Sequence, residues 1–265
     1  MNSTTTSTRP PRMTLPETYG YVYRLVVEHD RDPGGVQLVY EADTGHSWTE
    51  DASFYFSSPE HWWPSEVQGC RWASGRVLDI GCGAGRHALA LAASGHEVVG
   101  LEPSPDAVAA ARRLGVDARV GDLADLPADL GTFDTFLLLG SGLELFGAVP
   151  DPQAVLRSLA ALANPGARIV GNMALPPPDV PSGTAARQER YRMRVEHGDV
   201  RTEWSDWDTI ALLRPDDLAA LAARSPWTLE RIERSAVTAW RAPGTAAQHG
   251  DAAPEAYLAL LRLTR

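Results

Sequence analysis

The stretch V-L-D-I-G-C-G-A-G-R-H at residues 77–87 constrains the fold of this chain more than any other. Residues 77–80 predict a short buried strand of a parallel sheet, and residues 86–93 predict a helix. Glycines alternate between them at positions 81, 83 and 85. Glycine lets a ligand approach the backbone closely, and a helix start offers unpaired N–H groups with a partial positive charge. The stretch therefore predicts a ligand cradle.

The spacing of these glycines argues against a dinucleotide as the ligand. The loop is G-x-G-x-G, whereas the dinucleotide fingerprint G-x-G-x-x-G has its third glycine one residue later and holds a pyrophosphate. A second predicted strand, His96 to Leu101, is followed directly by Glu102, whose carboxylate is placed to accept both hydroxyls of a ribose. A glycine loop with a ribose-binding acid and no phosphate signature indicates a nucleoside that lacks phosphates.

The runs V-L-D-I-G-C-G-A-G-R-H and V-V-G-L-E-P-S resemble the first and second motifs of class I S-adenosylmethionine-dependent methyltransferases. The resemblance covers residues 76–172 and extends more loosely over the rest of the chain. It implies S-adenosyl-L-methionine as the cofactor, S-adenosyl-L-homocysteine as its product and methyl transfer as the reaction. It also implies an α/β fold with a seven-stranded Rossmann-like sheet, strand order 3-2-1-4-5-7-6, in which strand seven is antiparallel. A dinucleotide oxidoreductase is the alternative.

Two later features fit the same family. Val116 to Val120 predicts strand three, and Asp122 after it matches the family's third motif, where a carboxylate accepts from the adenine amino group. An aspartate that merely forms a turn is the alternative for Asp122. Residues 132–139 predict strand four, followed by small residues 140–142 at the crevice where open α/β sheets bind ligands. The remaining strands are predicted at 166–171, 227–235 and 255–264.

The resemblance assigns a role to each candidate donor-binding residue. Arg86 meets the donor's carboxylate or is a solvated residue at the helix start, and both interpretations stay open. Asp79 holds the loop or the donor's amino group. The others are Gly81, Gly83 and Gly85 for the methionine and ribose parts, Glu102 for the ribose hydroxyls, Asp122 and Leu123 for the adenine, and Gly140 at the end of strand four.

Segments outside the predicted core divide the rest of the chain. Residues 1–16 are interpreted as a disordered tail, residues 17–75 as an N-terminal lid segment, and residues 76–265 as the core. A β-hairpin insertion after strand five is predicted at 183–213, as a cover for the acceptor site or as a dimer surface. Loops are predicted at 176–182 and 242–254, where proline, glycine and alanine are frequent.

The lid segment contains an aromatic run between residues 54 and 63. It is interpreted either as a lid over donor and acceptor or as a packing element that seals the sheet edge. In the first case Tyr55, Trp62 and Trp63 wall the acceptor pocket or contact the sulfonium through cation–π interactions. His61 within the run and Glu144 after strand four are the candidate general bases, since a histidine titrates near neutral pH. His46 and His197 are weaker candidates.

Composition excludes several classes of function. The net charge of the 265 residues is −10, which argues against nucleic-acid binding. All 24 basic residues are arginines, so no lysine base or Schiff base is available. The longest apolar runs are too short to span a membrane. The two cysteines are too few for a disulfide framework or a zinc site, and no metal is expected. Cys82 is interpreted as a small residue that fills space in the glycine loop. We expect a cytoplasmic monomer or homodimer.

The predicted function is methyl transfer to an oxygen or nitrogen atom of a small organic acceptor, in bacterial secondary metabolism and natural product biosynthesis. Residues 140–144 read Gly-Ser-Gly-Leu-Glu instead of the Asn-Pro-Pro-Tyr-like set of DNA and protein amine methyltransferases, which disfavours that subclass. The alternatives are a peptide or protein methyltransferase and a non-catalytic adenosylmethionine-binding protein.

Overall fold

The computed structural model describes residues 12–176, 188–211, 213–237 and 255–264. Most of the tail predicted at 1–16 and most of the loop predicted at 176–182 lie outside these residues. So does the loop predicted at 242–254 and the first part of the insertion. Within the described part of the chain, no helix combines the length and apolar character that a membrane span requires.

The main sheet contains seven strands, in chain order β3 (Val77–Ile80), β4 (Val98–Glu102), β5 (Asp117–Val120), β6 (Phe133–Leu138), β7 (Ala163–Ala174), β11 (Trp227–Ala236) and β12 (Glu255–Leu263). Their order in space is β5-β4-β3-β6-β7-β12-β11. The strands from β5 to β7 pair in parallel, and β12 is antiparallel to both of its neighbours. This confirms the predicted order 3-2-1-4-5-7-6 with an antiparallel seventh strand.

Helices cover the main sheet and are joined to it by short turns. They are α2 (Pro64–Trp72), α3 (Arg86–Ala93), α4 (Pro105–Arg113), α5 (Leu145–Ala148), α6 (Pro152–Ala161) and α7 (Pro215–Ala222). Helix α4 is capped by Ser104, which accepts from the Ala107 N–H at 3.4 Å, and Pro105 occupies the first helical position. The central strands β3 and β6 are almost wholly buried and most of their residues are apolar, whereas the edge strand β5 is largely exposed.

A second, antiparallel sheet stands beside the main one. Its strands are β1 (Gln37–Ala42), β2 (Ser47–Asp51), β8 (Gln188–His197), β9 (Val200–Arg201) and β10 (Asp208–Ala211). The order is β10-β8-β1-β2, and β9 pairs with β8. Strand β1 comes from the predicted lid segment and β8 from the predicted insertion, and they pair from Gln37↔Glu196 to Ala42↔Tyr191. The sequence predicted two separate covers, whereas the structure joins them in one sheet.

The first helix ties this second sheet to the core. Helix α1 (Leu15–Glu28) begins with a capping box between Thr14 and Glu17, so the last two residues of the predicted tail belong to the helix. It contacts α4 and β8. At Gly20 an added Cβ would lie 2.0 Å from the Ser104 hydroxyl, so glycine is required for this close approach. The domain boundaries themselves remain predictions.

The core of the main sheet generates a stability prediction. Phe136 is fully buried and packs edge-on against Phe133 and Trp227, with ring centroids 5.9 Å apart in both pairs. We expect Phe136→Ala to lower the free energy of unfolding by about 3–5 kcal/mol, because it removes buried apolar area and leaves a cavity. Val120→Ala, at a side chain 48% exposed, is the control and should change stability by less than about 0.5 kcal/mol. Urea unfolding measures both, and equal effects would contradict the prediction.

Candidate active site

A cavity of about 480 Å³ lies at the carboxyl ends of β3, β4, β5 and β6. This volume falls within the range of about 300–1,000 Å³ that is usual for small-molecule sites. The main sheet supplies one side of the cavity, while α1, Tyr55 and strands β8 and β10 supply the other. The predicted residues that line it are Tyr55, Gly81, Gly83, Arg86, Glu102, Asp122, Leu123, Gly140 and Glu144.

The glycine loop forms the floor of the cavity. Gly83 has φ of +55° and its N–H donates to Glu102 Oε2 at 3.1 Å. A Cβ added there would lie 3.0 Å from the Tyr23 hydroxyl, so a larger residue would displace Tyr23 from the cavity wall. Gly85 caps α3 and does not line the cavity, because a Cβ there would meet Val116 at 2.6 Å. Its role is close packing of the helix start on the sheet and not contact with a ligand.

Glu102 lies at the end of β4 with its carboxylate fixed by two backbone donors. Oε2 accepts from Gly83 N–H and Oε1 accepts from Ser104 N–H, each at 3.1 Å. Burial raises the pKa of Glu102, and these two bonds act in the opposite direction. Each carboxylate oxygen accepts more than one hydrogen bond, so the group retains capacity for two ligand hydroxyls at the cavity surface.

Asp122 and Leu123 lie on the loop after β5. Asp122 Oδ1 accepts from the N–H groups of Ala124 at 2.7 Å and Asp125 at 2.8 Å. The alternative interpretation of Asp122 as a turn-forming residue therefore holds for one of its oxygens. Its side chain is exposed and lines the cavity, whereas Leu123 is buried and presents an apolar surface there.

Arg86 and His87, the first two residues of α3, are held by one buried acid. Arg86 and His87 both hydrogen-bond Glu66 Oε1, His87 through Nε2 at 3.1 Å. Burial alone would raise the pKa of Glu66, but the bond from His87 and the charge of Arg86 outweigh it and lower the pKa. Burial and Arg86 together lower the pKa of His87, so its imidazole is neutral at pH 7. Among the described residues, Arg86 Nη1 has no hydrogen-bond partner, which suits a ligand carboxylate.

Asp79 lies in β3 behind the loop and not on the cavity surface. It is 1% exposed, it accepts from the Ala88 N–H, and its Oδ2 has no partner among the described residues. Burial raises the pKa of Asp79 to about 7, against the opposing charge of Arg86. The structure favours a role in holding the loop over direct contact with a ligand.

Tyrosines form the wall opposite the glycine loop. The rings of Tyr19, Tyr23 and Tyr55 contact one another with centroids 5.5–5.9 Å apart, and Tyr191 lines the same region. Tyr40 lies behind them and its hydroxyl is 3.1 Å from those of both Tyr19 and Tyr55. These contacts fix the rings and present them to the cavity.

Two acids stand at the same end of the cavity. Glu144 follows β6 after Gly140 and Ser141, two positive-φ residues that turn the chain toward the cavity, and its N–H donates to the Ser141 carbonyl at 3.0 Å. Ser141 N–H in turn donates to the buried Asn172 at 3.2 Å. Burial raises the pKa of Glu144 to about 8, and the charge of Asp208 on β10 acts in the same direction.

Three predicted acceptor-site residues do not lie at the cavity, and their assignments are corrected. His61 is exposed at the end of a short 3₁₀ helix, away from the cavity lining, so it is not placed to act as a base. Trp62 is buried, its Nε1–H donates to the Ser57 carbonyl at 2.9 Å, and its ring packs on His87. The Trp63 N–H donates to Glu66 Oε2 at 2.9 Å at the start of α2. Both tryptophans support the donor side indirectly.

The structure also brings forward residues that the sequence interpretation missed. Tyr19 and Tyr23 are four residues apart on α1, so their spacing alone places them on one helix face. His87 stands directly after the glycine loop, in a motif already recognised. Tyr191 and Asp208 pair across β8 and β10, and no local pattern points to their place at the cavity.

The comparison of sequences assigns part of the chain to a family. Residues 77–166 match the model of a methyltransferase domain. A ubiquinone biosynthesis O-methyltransferase from Xanthomonas euvesicatoria is 36% identical over 104 residues, which are 37% of this chain and 42% of the relative. A protein of the same name from Xanthomonas campestris is 38% identical over 98 residues, 34% and 39% of the two chains. This chain spans about two fifths of the length of the curated relatives it matches.

The comparison of structures extends to almost the whole chain. A S-adenosylmethionine-dependent methyltransferase from Bacteroides fragilis, solved with S-adenosyl-L-homocysteine, superimposes with a TM-score of 0.68 at 23% identity, covering 96% of this chain and 98% of the other. The methyltransferase CcbJ from Streptomyces caelestis gives a TM-score of 0.56 at 18% identity, covering 79% and 98%. At these identities the likeness establishes the fold alone. With the family match, it confirms the resemblance stated from the sequence.

The buried Asp79 generates a prediction about pH. The pKa of the Asp79 carboxyl is 3.8 in the unfolded chain and about 7 in the folded chain. The contribution of Asp79 to stability is therefore present below about pH 4 and is lost as the pH rises through 7. We expect Asp79→Asn to be more stable relative to the wild type at pH 8 than at pH 5, with about 4 kcal/mol as the upper bound for a shift of this size.

Urea unfolding at the two pH values measures this difference. Asp199→Asn is the matched control, because Asp199 is exposed in the turn between β8 and β9. A difference between Asp79→Asn and the wild type that does not change between pH 5 and pH 8 would contradict the raised pKa.

Proposed function

We propose that this chain, which contains a class I S-adenosylmethionine-dependent methyltransferase domain, transfers the methyl group of S-adenosyl-L-methionine to an oxygen or nitrogen atom of a small organic acceptor. One observation carries this proposal. The cavity brings together the glycine loop and Glu102 with a wall of tyrosines and Glu144. The donor and acceptor halves of such a reaction thus share one cavity.

The donor fits the first half of this cavity. Glu102 accepts from the ribose hydroxyls, Asp122 and Leu123 face the adenine, and the free Nη1 of Arg86 meets the donor's carboxylate. The S-adenosyl-L-homocysteine of the Bacteroides fragilis structure, which shares the fold, supports this choice of ligand. No residue of the described cavity lining is a lysine, so the chemistry depends on arginine, acids and tyrosines.

Methyl transfer from a sulfonium depends mainly on the alignment of the acceptor atom with the methyl group. The positive sulfur already activates the methyl group, and holding the acceptor atom in line with it contributes within the range of about 7–11 kcal/mol available to oriented reactants. A base is needed where the acceptor carries a proton that must leave before or during attack. Glu144 is the candidate, because its pKa of about 8 lies near the operating pH, as that of an efficient general base does.

The acceptor is expected to be small. The second sheet and α1 wall the cavity opposite the main sheet, which leaves less room for an extended peptide than an open groove would. The curated relatives are named as O-methyltransferases of ubiquinone biosynthesis, which supports an oxygen atom. A place in secondary metabolism rests on the sequence interpretation alone.

Donor binding is tested first at Glu102. We expect Glu102→Ala to weaken binding of S-adenosyl-L-homocysteine by about 1–3 kcal/mol, because the ribose hydroxyls lose a buried charged acceptor. Glu102→Gln keeps one oxygen for the Gly83 N–H and should lose less. Isothermal titration measures both, with NADH as the rival ligand. Unchanged affinity in Glu102→Ala, or tighter binding of NADH than of S-adenosyl-L-homocysteine, would contradict the donor assignment.

Turnover tests the reaction itself. The protein is incubated with deuterium-labelled S-adenosyl-L-methionine and a small-molecule extract, and S-adenosyl-L-homocysteine and labelled products are quantified by mass spectrometry. We expect labelled small molecules to form, and Glu144→Gln to lower kcat by about 10²–10⁴-fold, the usual contribution of a general base. Affinity for S-adenosyl-L-homocysteine should stay unchanged in this variant. Binding of the donor without any transfer would favour the non-catalytic alternative, and labelling confined to added peptides would favour a peptide methyltransferase.

A further inference from the structure

The charged side chains at the acceptor end of the cavity indicate a class of substrate. The described cavity lining contains four acids, Glu102, Asp122, Glu144 and Asp208, and a single arginine, Arg86. Arg86 lies at the donor end, where Glu66 already balances it. His87 is neutral at pH 7 because burial lowers its pKa. The acceptor end therefore carries negative charge with no cation in the described lining to balance it.

Glu144 and Asp208 face this end from two different parts of the fold. Helix α5, which follows Glu144, contacts strand β10, which begins at Asp208. Asp208 Oδ1 accepts from the Thr209 N–H at 2.7 Å, which leaves Oδ2 for a ligand. Both acids line the cavity, and the charge of the exposed Asp208 raises the pKa of Glu144. Glu144 is largely protonated in the empty cavity at pH 7, because its pKa is about 8, and a bound cation would offset the charge of Asp208 and favour the ionised form of Glu144.

Tyr191 provides a second, independent indication of a ligand. Its side chain is 7% exposed, it lines the cavity, and it stands opposite Asp208 across β8 and β10. Its hydroxyl has no hydrogen-bond partner among the described residues. The hydroxyl oxygen is accessible from the cavity, where it is available to hydrogen-bond a polar ligand group.

Tyrosine rings complete the surroundings of this position. The Tyr19 and Tyr55 hydroxyls both contact Tyr40, and Tyr55 also donates to Glu50 at 3.1 Å. The rings are therefore held in place before a ligand arrives. Aromatic rings attract a cation through their π faces, most strongly where water is excluded.

We propose that the acceptor is a small primary or secondary amine, bound as its ammonium ion between Glu144, Asp208 and Tyr191 and against the rings of Tyr19 and Tyr55. This proposal rests on the proposed function above. A primary ammonium group has three N–H donors, and the two carboxylates and the Tyr191 hydroxyl offer three acceptors. An anionic acceptor meets repulsion here, and a neutral alcohol leaves the two acids unbalanced.

Methyl transfer to this amine requires only Glu144 and the methyl donor. Binding of the ammonium ion displaces the proton of Glu144 to solvent, and the ammonium ion then gives one proton to the Glu144 carboxylate and becomes a neutral amine with a free electron pair. That pair forms the new N–C bond with the donor methyl while the C–S bond breaks and its electrons pass to sulfur. The products are an N-methylated ammonium ion and neutral S-adenosyl-L-homocysteine. Glu144 keeps this proton after the products leave, until the next ammonium ion binds.

The test compares probes that differ in charge and share a carbon skeleton. The sets are benzylamine, benzyl alcohol and benzoate; 2-phenylethylamine, 2-phenylethanol and phenylacetate; and tryptamine, tryptophol and indole-3-acetate. Isothermal titration measures each Kd on the full chain, with and without saturating S-adenosyl-L-homocysteine. We expect the amine of at least one set to bind about tenfold more tightly than its alcohol and carboxylate partners.

Variants locate the preference within the cavity. Glu144→Gln and Asp208→Asn should each weaken amine binding about tenfold, as expected for a lost charged contact, while leaving the alcohol unchanged. Tyr191→Phe should weaken amine binding by a smaller factor. Asp199→Asn, the same charge change at an exposed turn, should leave every Kd unchanged. Retained affinity for S-adenosyl-L-homocysteine shows that a variant is folded.

The outcomes separate this proposal from the proposed function. The amine proposal is overturned if an alcohol or carboxylate binds as tightly as its amine, if no amine binds, or if Glu144→Gln and Asp208→Asn keep the full preference. Failure of S-adenosyl-L-homocysteine to bind the wild type contradicts the proposed function instead. The amine preference is still decided in that case, because the probes are also measured on the protein without it.

Discussion

The pairing of β1 with β8 is the interaction on which the cavity depends. Residues 37–42 and 191–196 are about 150 positions apart in the chain, and six residue pairs join them in one antiparallel ladder. Alternation along β8 buries Tyr191, Met193 and Val195 toward α1 and the core of this sheet. The ladder thereby places Tyr191 and the neighbouring β10 opposite the carboxyl ends of the parallel strands. Without it the main sheet would present an open crevice.

A second constraint links the covering segments to the glycine loop. Glu66 on α2 holds both Arg86 and His87, and the rings of Phe54 and Trp62 lie 4.5 and 5.5 Å from the Arg86 guanidinium. The aromatic run that sequence analysis interpreted as a lid therefore acts largely by orienting an arginine. A buried acid with two basic partners is costly to break, because removing one partner leaves a charge uncompensated. The orientation of Arg86 is thus coupled to the placement of α2.

These two constraints explain how far the sequence predicts the molecule. The parallel strands and the glycine loop follow from local signals, since apolar runs, glycines and caps lie within a few residues of the structures they specify. The strand order follows from the family resemblance. The second sheet depends on pairing between distant strands whose register no local pattern records. His61 and Trp62 were assigned to the site for their chemistry, but the 3₁₀ turn at 59–61 leaves the histidine in solvent and buries the tryptophan. Tyr191 and Asp208 were missed because their place at the cavity depends on the long-range pairing of the second sheet.

The two ends of the cavity differ in how their polar groups are satisfied. Glu102 has two backbone donors, and Asp122 has two more, so the donor end is ordered before a ligand binds. At the other end the Tyr191 hydroxyl lacks a partner among the described residues, and Glu144 is desolvated beside another acid. A site ordered in advance loses little entropy on binding, which suits a ligand common to all reactions of the fold. Unsatisfied groups instead make binding conditional on a ligand that supplies the missing charge and hydrogen bonds. Under the proposed function, Tyr191 and Asp208 of the second sheet and Glu144 after β6 would therefore select the acceptor.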